Sequence, residues 1–212
     1  MTPMKNESPK TRPRPPRPRA VQSHEVRIIG GQYKRSKLPV ADKPGLRPTP
    51  DRVRETLFNW LGQDLSGWRC LDAFAGTGVL GFEAASRGAA QVLLVEQDAA
   101  LVAQLKRVQT QLKADGVQVV RGDAVAALRH APAGSLELIF MDPPFDSDVF
   151  EVAVQAAAPA LAAAGFLYLE APKRWSESQL QVLGLQLHRY LKAGMVHAHL
   201  LKRIEPVAEP AR

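Results

Sequence analysis

Residues 70–81 read CLDAFAGTGVLG, an apolar run that breaks into three spaced glycines, Gly76, Gly78 and Gly81. A second apolar run follows and ends in Glu96, twenty residues after Gly76. The pattern matches G-x-G-x-x-G with a distal acid, where the glycines let a strand turn tightly into a helix and let a ligand approach the backbone. Packing alone seldom places three glycines at these intervals with an acid at that distance. The stretch therefore predicts a strand–loop–helix junction in a parallel α/β sheet.

The sequence on either side keeps that rhythm. Strands over 69–74, 91–96, 117–121, 136–141 and 165–170 alternate with helices over 78–87, 98–114, 123–130 and 147–162. Such alternation implies right-handed crossovers between parallel strands. Residues 185–191 and 195–204 are separated only by Lys192-Ala193-Gly194, which leaves no room for a helix, so these two strands pair antiparallel. The expectation is an α/β fold with a seven-stranded, mostly parallel sheet whose last strand is antiparallel, the strand plan of a methyltransferase sheet. Upstream, residues 26–29, Gly30-Gly31 and residues 33–40 read as a strand–turn–strand unit. Thr49 as cap and Pro50 as first residue then open a helix whose Val53, Leu57, Trp60 and Leu61 form one apolar face, with Arg52 and Arg54 flanking it.

Two cofactors use such a glycine loop. A dinucleotide places an anionic pyrophosphate there, which an acid at the end of the preceding strand would oppose. Asp72 is such an acid. S-adenosylmethionine carries no phosphate but has a cationic amino group and a sulfonium, both of which a carboxylate favours. Glu96 would accept from ribose hydroxyls in either case. Asp123, just after the third strand, can accept from an adenine amino group while also capping the next helix.

The fourth strand ends in IFMDPPFD, residues 139–146. Prolines cannot donate to a sheet ladder, so the strand stops here, and Asp146 or Ser147 could cap the following helix. A rigid turn would explain the prolines alone. At a strand's carboxyl end, however, the turn also displays Asp142, the carbonyl of Pro143 and the ring of Phe145 where open α/β sheets bind ligands. An exocyclic amine on a nucleobase is a poor nucleophile because its lone pair is conjugated into the ring. Acceptors at Asp142 and Pro143 would hold its two N–H groups and aim the lone pair at a methyl carbon, with Phe145 stacked on the base. Asp142 or water would then receive the proton.

Charge separates the ends of the chain. The net charge of +7 divides into +5 for residues 1–24, +4 for 25–60 and −2 for 61–212, which points to nucleic-acid contact in the first sixty residues or to a solubilising tail. Residues 1–24 are a basic Pro/Arg-rich tail expected to be disordered, 25–62 a basic hairpin and helix, 63–204 the catalytic domain and 205–212 a C-terminal tail. No apolar run approaches membrane-spanning length and the start is no signal peptide, so a cytoplasmic protein is expected. The lone Cys70 excludes an intrachain disulfide and reads as a buried thiol. His197 and His199 alternate along one strand, but no third ligand stands near them, so no metal is expected.

These motifs bear a family resemblance. VRIIGGQYKRSKLPV, LRPTPDRVRETLFNWL, LDAFAGTGVLGFEAASRGA and IFMDPPF together resemble the bacterial small-subunit ribosomal RNA guanine-N2 methyltransferases of the RsmD family, over roughly residues 25–204. The resemblance implies a class I S-adenosylmethionine-dependent methyltransferase fold, Rossmann-like, with a small N-terminal extension. It implies methylation of the 2-amino group of one guanine in 16S rRNA of a partly assembled small subunit; a monomer without metal is expected. At matching positions Asp72, Phe74, Gly76, Gly78, Glu96 and Asp123 would bind cofactor, and Asp142, Pro143 and Phe145 would hold the guanine. Arg27, Lys34, Arg35, Lys37, Arg47, Arg52 and Arg54 would grip RNA. On the acid-Pro-Pro-aromatic tetrad alone, DNA adenine or protein glutamine remains an alternative substrate. A nicotinamide-dependent oxidoreductase, or an RNA-binding assembly factor without activity, is the reading from another class.

Overall fold

A computed structural model of the chain describes residues 24–43, 45–145 and 147–204. The Pro/Arg-rich tail up to residue 23, the C-terminal tail from 205 and the capping candidate Asp146 lie outside the described residues. Among the described residues, nine strands and six α-helices follow in the order β1 (His24–Arg27), β2 (Lys37–Val40), α1 (Asp51–Trp60), β3 (Arg69–Asp72), α2 (Val79–Ser86), β4 (Gln91–Glu96), α3 (Ala99–Leu112), β5 (Val117–Arg121), α4 (Ala124–His130), β6 (Leu136–Met141), α5 (Phe150–Ala157), β7 (Leu161–Ala171), α6 (Glu177–Val182), β8 (Leu185–Ala193) and β9 (Val196–Arg203). The main sheet has seven strands in the order β5-β4-β3-β6-β7-β9-β8. Its first five strands run parallel, and β9 pairs antiparallel with both β7 and β8. β1 and β2 form a separate antiparallel pair. Among the described residues, no helix is long and apolar enough to cross a membrane.

The central strands are buried on both faces, as their continuous apolar sequences require. Cys70, Phe140, Tyr168 and Leu200 pack on one face with α1, α2 and α3, whereas Leu71, Ile139, Met141, Leu169 and Leu201 pack on the other with α4, α5 and α6. Val26 and Leu38 of the N-terminal pair join the first of these clusters, so the N-terminal unit shares the core of the main sheet.

A buried carboxylate fastens that unit. Glu83 of α2 is fully buried and accepts from the backbone N–H of Ile29 at 2.7 Å, from Arg54 at 2.5 Å and from Arg87. The Arg87 guanidinium lies 4.1 Å over the ring of Phe58. Arg54 also donates to the carbonyls of Thr49 and Arg27 and to Asp51. The carboxyl end of α2 is closed by the same unit, because Gln32 donates its N–H to the Ser86 carbonyl at 2.7 Å. Gly31 has φ +71, and a Cβ there would fall 1.8 Å from that carbonyl. The Gly30-Gly31 turn thus exists to let backbone meet backbone.

Several expectations change here. Arg54 does not reach RNA: it is 0% exposed, with its donors committed to Glu83, Asp51 and carbonyls. Thr49 does not cap α1, whose N-cap is Pro50 without a side-chain cap; it is buried beside Glu170 instead. Residues 31–35 are a turn, and β2 is four residues long. Ser147 donates to the Pro144 carbonyl and caps nothing, since α5 starts three residues later. The alanine-rich helix ends at Ala157 because Pro159 cannot continue it, and β7 begins at Leu161 opposite Leu136. α6 is an addition to the expected elements.

Removing one partner from a buried ion cluster leaves uncompensated charge and costs about 3–5 kcal/mol. Glu83→Ala should therefore lower stability by that order in denaturant unfolding, and an effect below about 1 kcal/mol would show that the cluster does not anchor the N-terminal unit.

Candidate functional site

The carboxyl ends of β3, β4 and β5 carry the glycine loop and its acids. Gly76 and Gly78 have φ of +51 and +77, which favours glycine at both. A Cβ on Gly78 would also fall 2.4 Å from the Leu105 side chain, so this glycine is needed for packing α2 against α3. Glu96, half-buried, takes the Gly76 N–H at 2.9 Å on one oxygen and the Asp98 N–H at 2.8 Å on the other, and thereby shapes the loop from the neighbouring strand. Asp123 is exposed, caps α4 through the Ala126 N–H and accepts from the Gln97 amide. Asp72 is buried behind the loop, where its Oδ2 accepts the Gly81 N–H at 3.1 Å. Phe74 is half-buried on the rim.

The proline turn lies beside this loop, because β6 is the neighbour of β3. Pro143 is buried, Pro144 exposed, and Asp142 and Phe145 retain part of their surface. Alternation along β3, β6 and β7 brings Asp72, Asp142 and Glu170 to one face at the carboxyl edge, since Cys70, Phe140 and Tyr168 share the core below them. Met141 pairs with Leu169, so Asp142 and Glu170 follow side by side.

Glu170 is the principal residue missed from sequence. It is 2% exposed and accepts from the Tyr168 hydroxyl at 2.8 Å, with Thr49 beside it. Burial raises the pKa of Asp142 well above the ordinary carboxylate range, and the charges of Glu170 and Asp72 raise it further. Burial likewise raises Glu170, against the lowering effect of the Tyr168 and Thr49 hydroxyls beside it. Asp72 is pushed up to about 7, first by burial and then by Glu96 and Glu170, with the Gly81 N–H opposing. Three crowded acids on one edge thus disfavour simultaneous ionisation and favour a cationic neighbour.

A strap crosses this edge. Lys43 pairs with Asp98 beyond β4, Leu46 lies against Gly76, and Thr49 reaches Glu170 at the end of β7. Of the residues expected to grip RNA, Arg27, Lys34, Arg35, Arg47 and Arg52 are exposed on the N-terminal unit and strap, and exposed Lys37 pairs with Glu25 at 2.6 Å. Two histidines hold structural partners: His199 is buried and accepts the Trp175 N–H, and His197 meets the Tyr190 hydroxyl. Among the described residues, no cluster of His, Cys, Asp or Glu could hold a metal.

A family model described as conserved hypothetical protein 95 matches residues 26–202. Ribosomal RNA small subunit methyltransferase D of Escherichia coli K12 is 42% identical over 193 residues, which cover 85% of this chain and 91% of that protein. Among solved structures, yhhF of Escherichia coli, described as a candidate methyltransferase, superposes with a TM-score of 0.73 at 40% identity and covers 85% of this chain and 98% of its own. The candidate methylase HI0767 of Haemophilus influenzae gives 0.70 at 32% identity, with 86% and 100% covered.

An acid whose pKa is higher in the folded state than in the unfolded one contributes stability at low pH that is lost as pH rises through the folded value. The protein should accordingly lose stability between about pH 4, where Asp72 ionises in the unfolded chain, and about pH 7, where it ionises in the folded one. In Asp72→Asn that loss should shrink, measurable as a flatter dependence of unfolding temperature on pH. An identical slope in the variant would show that Asp72 does not carry the loss.

Proposed function

The chain belongs to the ribosomal RNA small subunit methyltransferase D (RsmD) family, and from that premise we propose that it transfers a methyl group from S-adenosylmethionine to the N2 amine of a guanine in 16S rRNA, with a partly assembled small subunit as substrate. The observation that carries the reading is the Asp142-Pro143-Pro144-Phe145 turn, set at the carboxyl end of β6 beside the glycine loop of β3.

S-adenosylmethionine, when bound, supplies an electrophilic methyl group. The loop fits it: Glu96 keeps lone pairs for ribose hydroxyls after accepting two backbone N–H groups. Asp123 is exposed beside it to accept from the adenine amine. Asp72, behind the loop, contributes negative charge rather than direct contact, and Gly76, Gly78 and Phe74 line the approach.

The Asp142 carboxylate and the Pro143 carbonyl accept the two N–H groups of the guanine amine, which fixes the nitrogen's orientation. Phe145, only partly buried, stacks on the base. Once the nitrogen is methylated its proton becomes strongly acidic and passes to the Asp142 carboxylate, whose raised pKa makes it a better acceptor than an ordinary aspartate. Exposed Arg27, Lys34, Arg35, Lys37, Arg47 and Arg52 hold phosphates around the target, which positions the RNA without reading its sequence.

The experiment is transfer of a labelled methyl group to naked 16S rRNA, partly assembled small subunits and duplex DNA in parallel, with nucleoside analysis of each. The expected product is N2-methylguanosine in ribosomal samples alone. Label in DNA, or in another nucleoside, would overturn the substrate assignment.

The crowded acids give a second prediction. Asp142 must be ionised to take a proton, so kcat should rise with pH through its raised pKa. Glu170→Gln removes the neighbouring charge that helps to raise it, so the acid limb of the kcat profile should move to lower pH. A limb that stays in place would show that Glu170 does not tune Asp142.

A further inference from the structure

The end of β7 and the tip of the β8–β9 hairpin build a second cationic surface on the catalytic edge. Ala171, the last residue of β7, pairs with His197 of β9, which pairs in turn with Lys192 of β8. This row lies one residue beyond Glu170, and strand spacing places the Lys192 backbone roughly 10 Å from that of Ala171. Lys173, Arg174 and Lys192 are exposed, and Met195 at the hairpin tip is 79% exposed. Among the described residues none of these three cations enters an ion pair.

Arg174 rests on an aromatic ring instead. Its guanidinium lies 4.7 Å from the centre of the Tyr190 ring, and the Tyr190 hydroxyl is fixed at 2.6 Å from Nδ1 of His197. A stacked guanidinium keeps its planar fork of donors while losing less freedom on binding an anion, which suits it to phosphate. Residues 172–196 hold four cations, Lys173, Arg174, Arg189 and Lys192, against one acid, Glu177.

The surface also lies on the complementary side. The N-terminal unit packs on the sheet face of α1 and α2. Tyr190 lies against His199, ring centroids 5.3 Å apart, and sits, by strand alternation, on the face that carries α5 and α6. The proline turn, at the end of β6, falls between the two. A nucleotide drawn out of an RNA strand into that turn leaves backbone on both sides, and each side must be held for the base to stay in place.

We propose that Lys173, Arg174 and Lys192 form a second phosphate-binding wall that grips the substrate RNA on the side of the target nucleotide opposite the N-terminal unit. The inference rests on the ribosomal RNA reading given above.

The test compares wild type, an Arg174→Glu/Lys192→Glu double variant, and a Lys106→Glu/Arg107→Glu control that makes the same charge change on exposed positions of α3. Affinity for a labelled small-subunit RNA fragment is measured across salt concentrations, apart from methyl transfer, with S-adenosylmethionine affinity and unfolding temperature as checks on folding. The double variant should bind RNA at least tenfold more weakly than the control, and its log–log salt slope should fall by about 0.7 for each phosphate that the protein no longer neutralises. Affinity and slope equal to the control would overturn the proposal. So would intact binding to naked RNA with weakened binding to assembled subunits, which would make the partner a protein. Wild-type protein that binds RNA but methylates none would count against the proposed reaction and leave this comparison decisive for the wall.

Discussion

The Glu83 carboxylate is the constraint on which the site depends. It sits inside α2, one turn after the glycine loop, and gathers the Ile29 N–H, Arg54 and Arg87 without access to water. Two cations and a backbone dipole offset the cost of burying one negative charge, a balance that fails if any partner leaves. Because Ile29 and Arg54 belong to the N-terminal unit, the cluster fixes that unit against the helix that starts at the loop. The strap between them must then cross the carboxyl edge of the sheet, from Asp98 past Gly76 to Glu170.

That crossing explains how a basic extension serves a site built on another part of the chain. The sheet supplies a row of acids and a rigid turn; the extension supplies Thr49 to one acid and exposed cations around the opening. Electrostatic roles separate accordingly. Buried acids at Asp72, Asp142 and Glu170 favour a cationic ligand and set the proton affinity of the turn, while exposed cations on the rim favour a polyanion. The two fields coexist because one is buried and the other faces solvent.

Much of this is legible in sequence because local patterns carry it. The glycine spacing, the alternating strands, the three-residue link before β9 and the double proline after Asp142 each state a backbone requirement within a dozen residues. Long-range partners are not legible. Arg54 reads as one more exposed cation beside an apolar stripe, and nothing local reveals that a buried acid 29 residues away claims it. Glu170 looks like a strand residue, although an acid inside the apolar run Leu167 to Ala171 is a signal, given that the neighbouring strand also ends in an acid. α6 has a local signal too, a Ser176-x-x-Gln179 capping box. The cations of the hairpin tip are hidden by averaging, since residues 61–212 as a block are net negative.

The central claim is that Asp142 acts on the acceptor amine and leaves the methyl donor's binding to the glycine loop. The most direct measurement is a single-turnover methyl-transfer rate for Asp142→Ala beside its S-adenosylmethionine dissociation constant from calorimetry. Transfer should fall by a factor on the order of a thousand or more, as when a positioned acceptor and proton-taking group are both removed, with donor affinity within a few fold of wild type. Transfer that persists near the wild-type rate, or donor binding that fails in parallel with transfer, would contradict it.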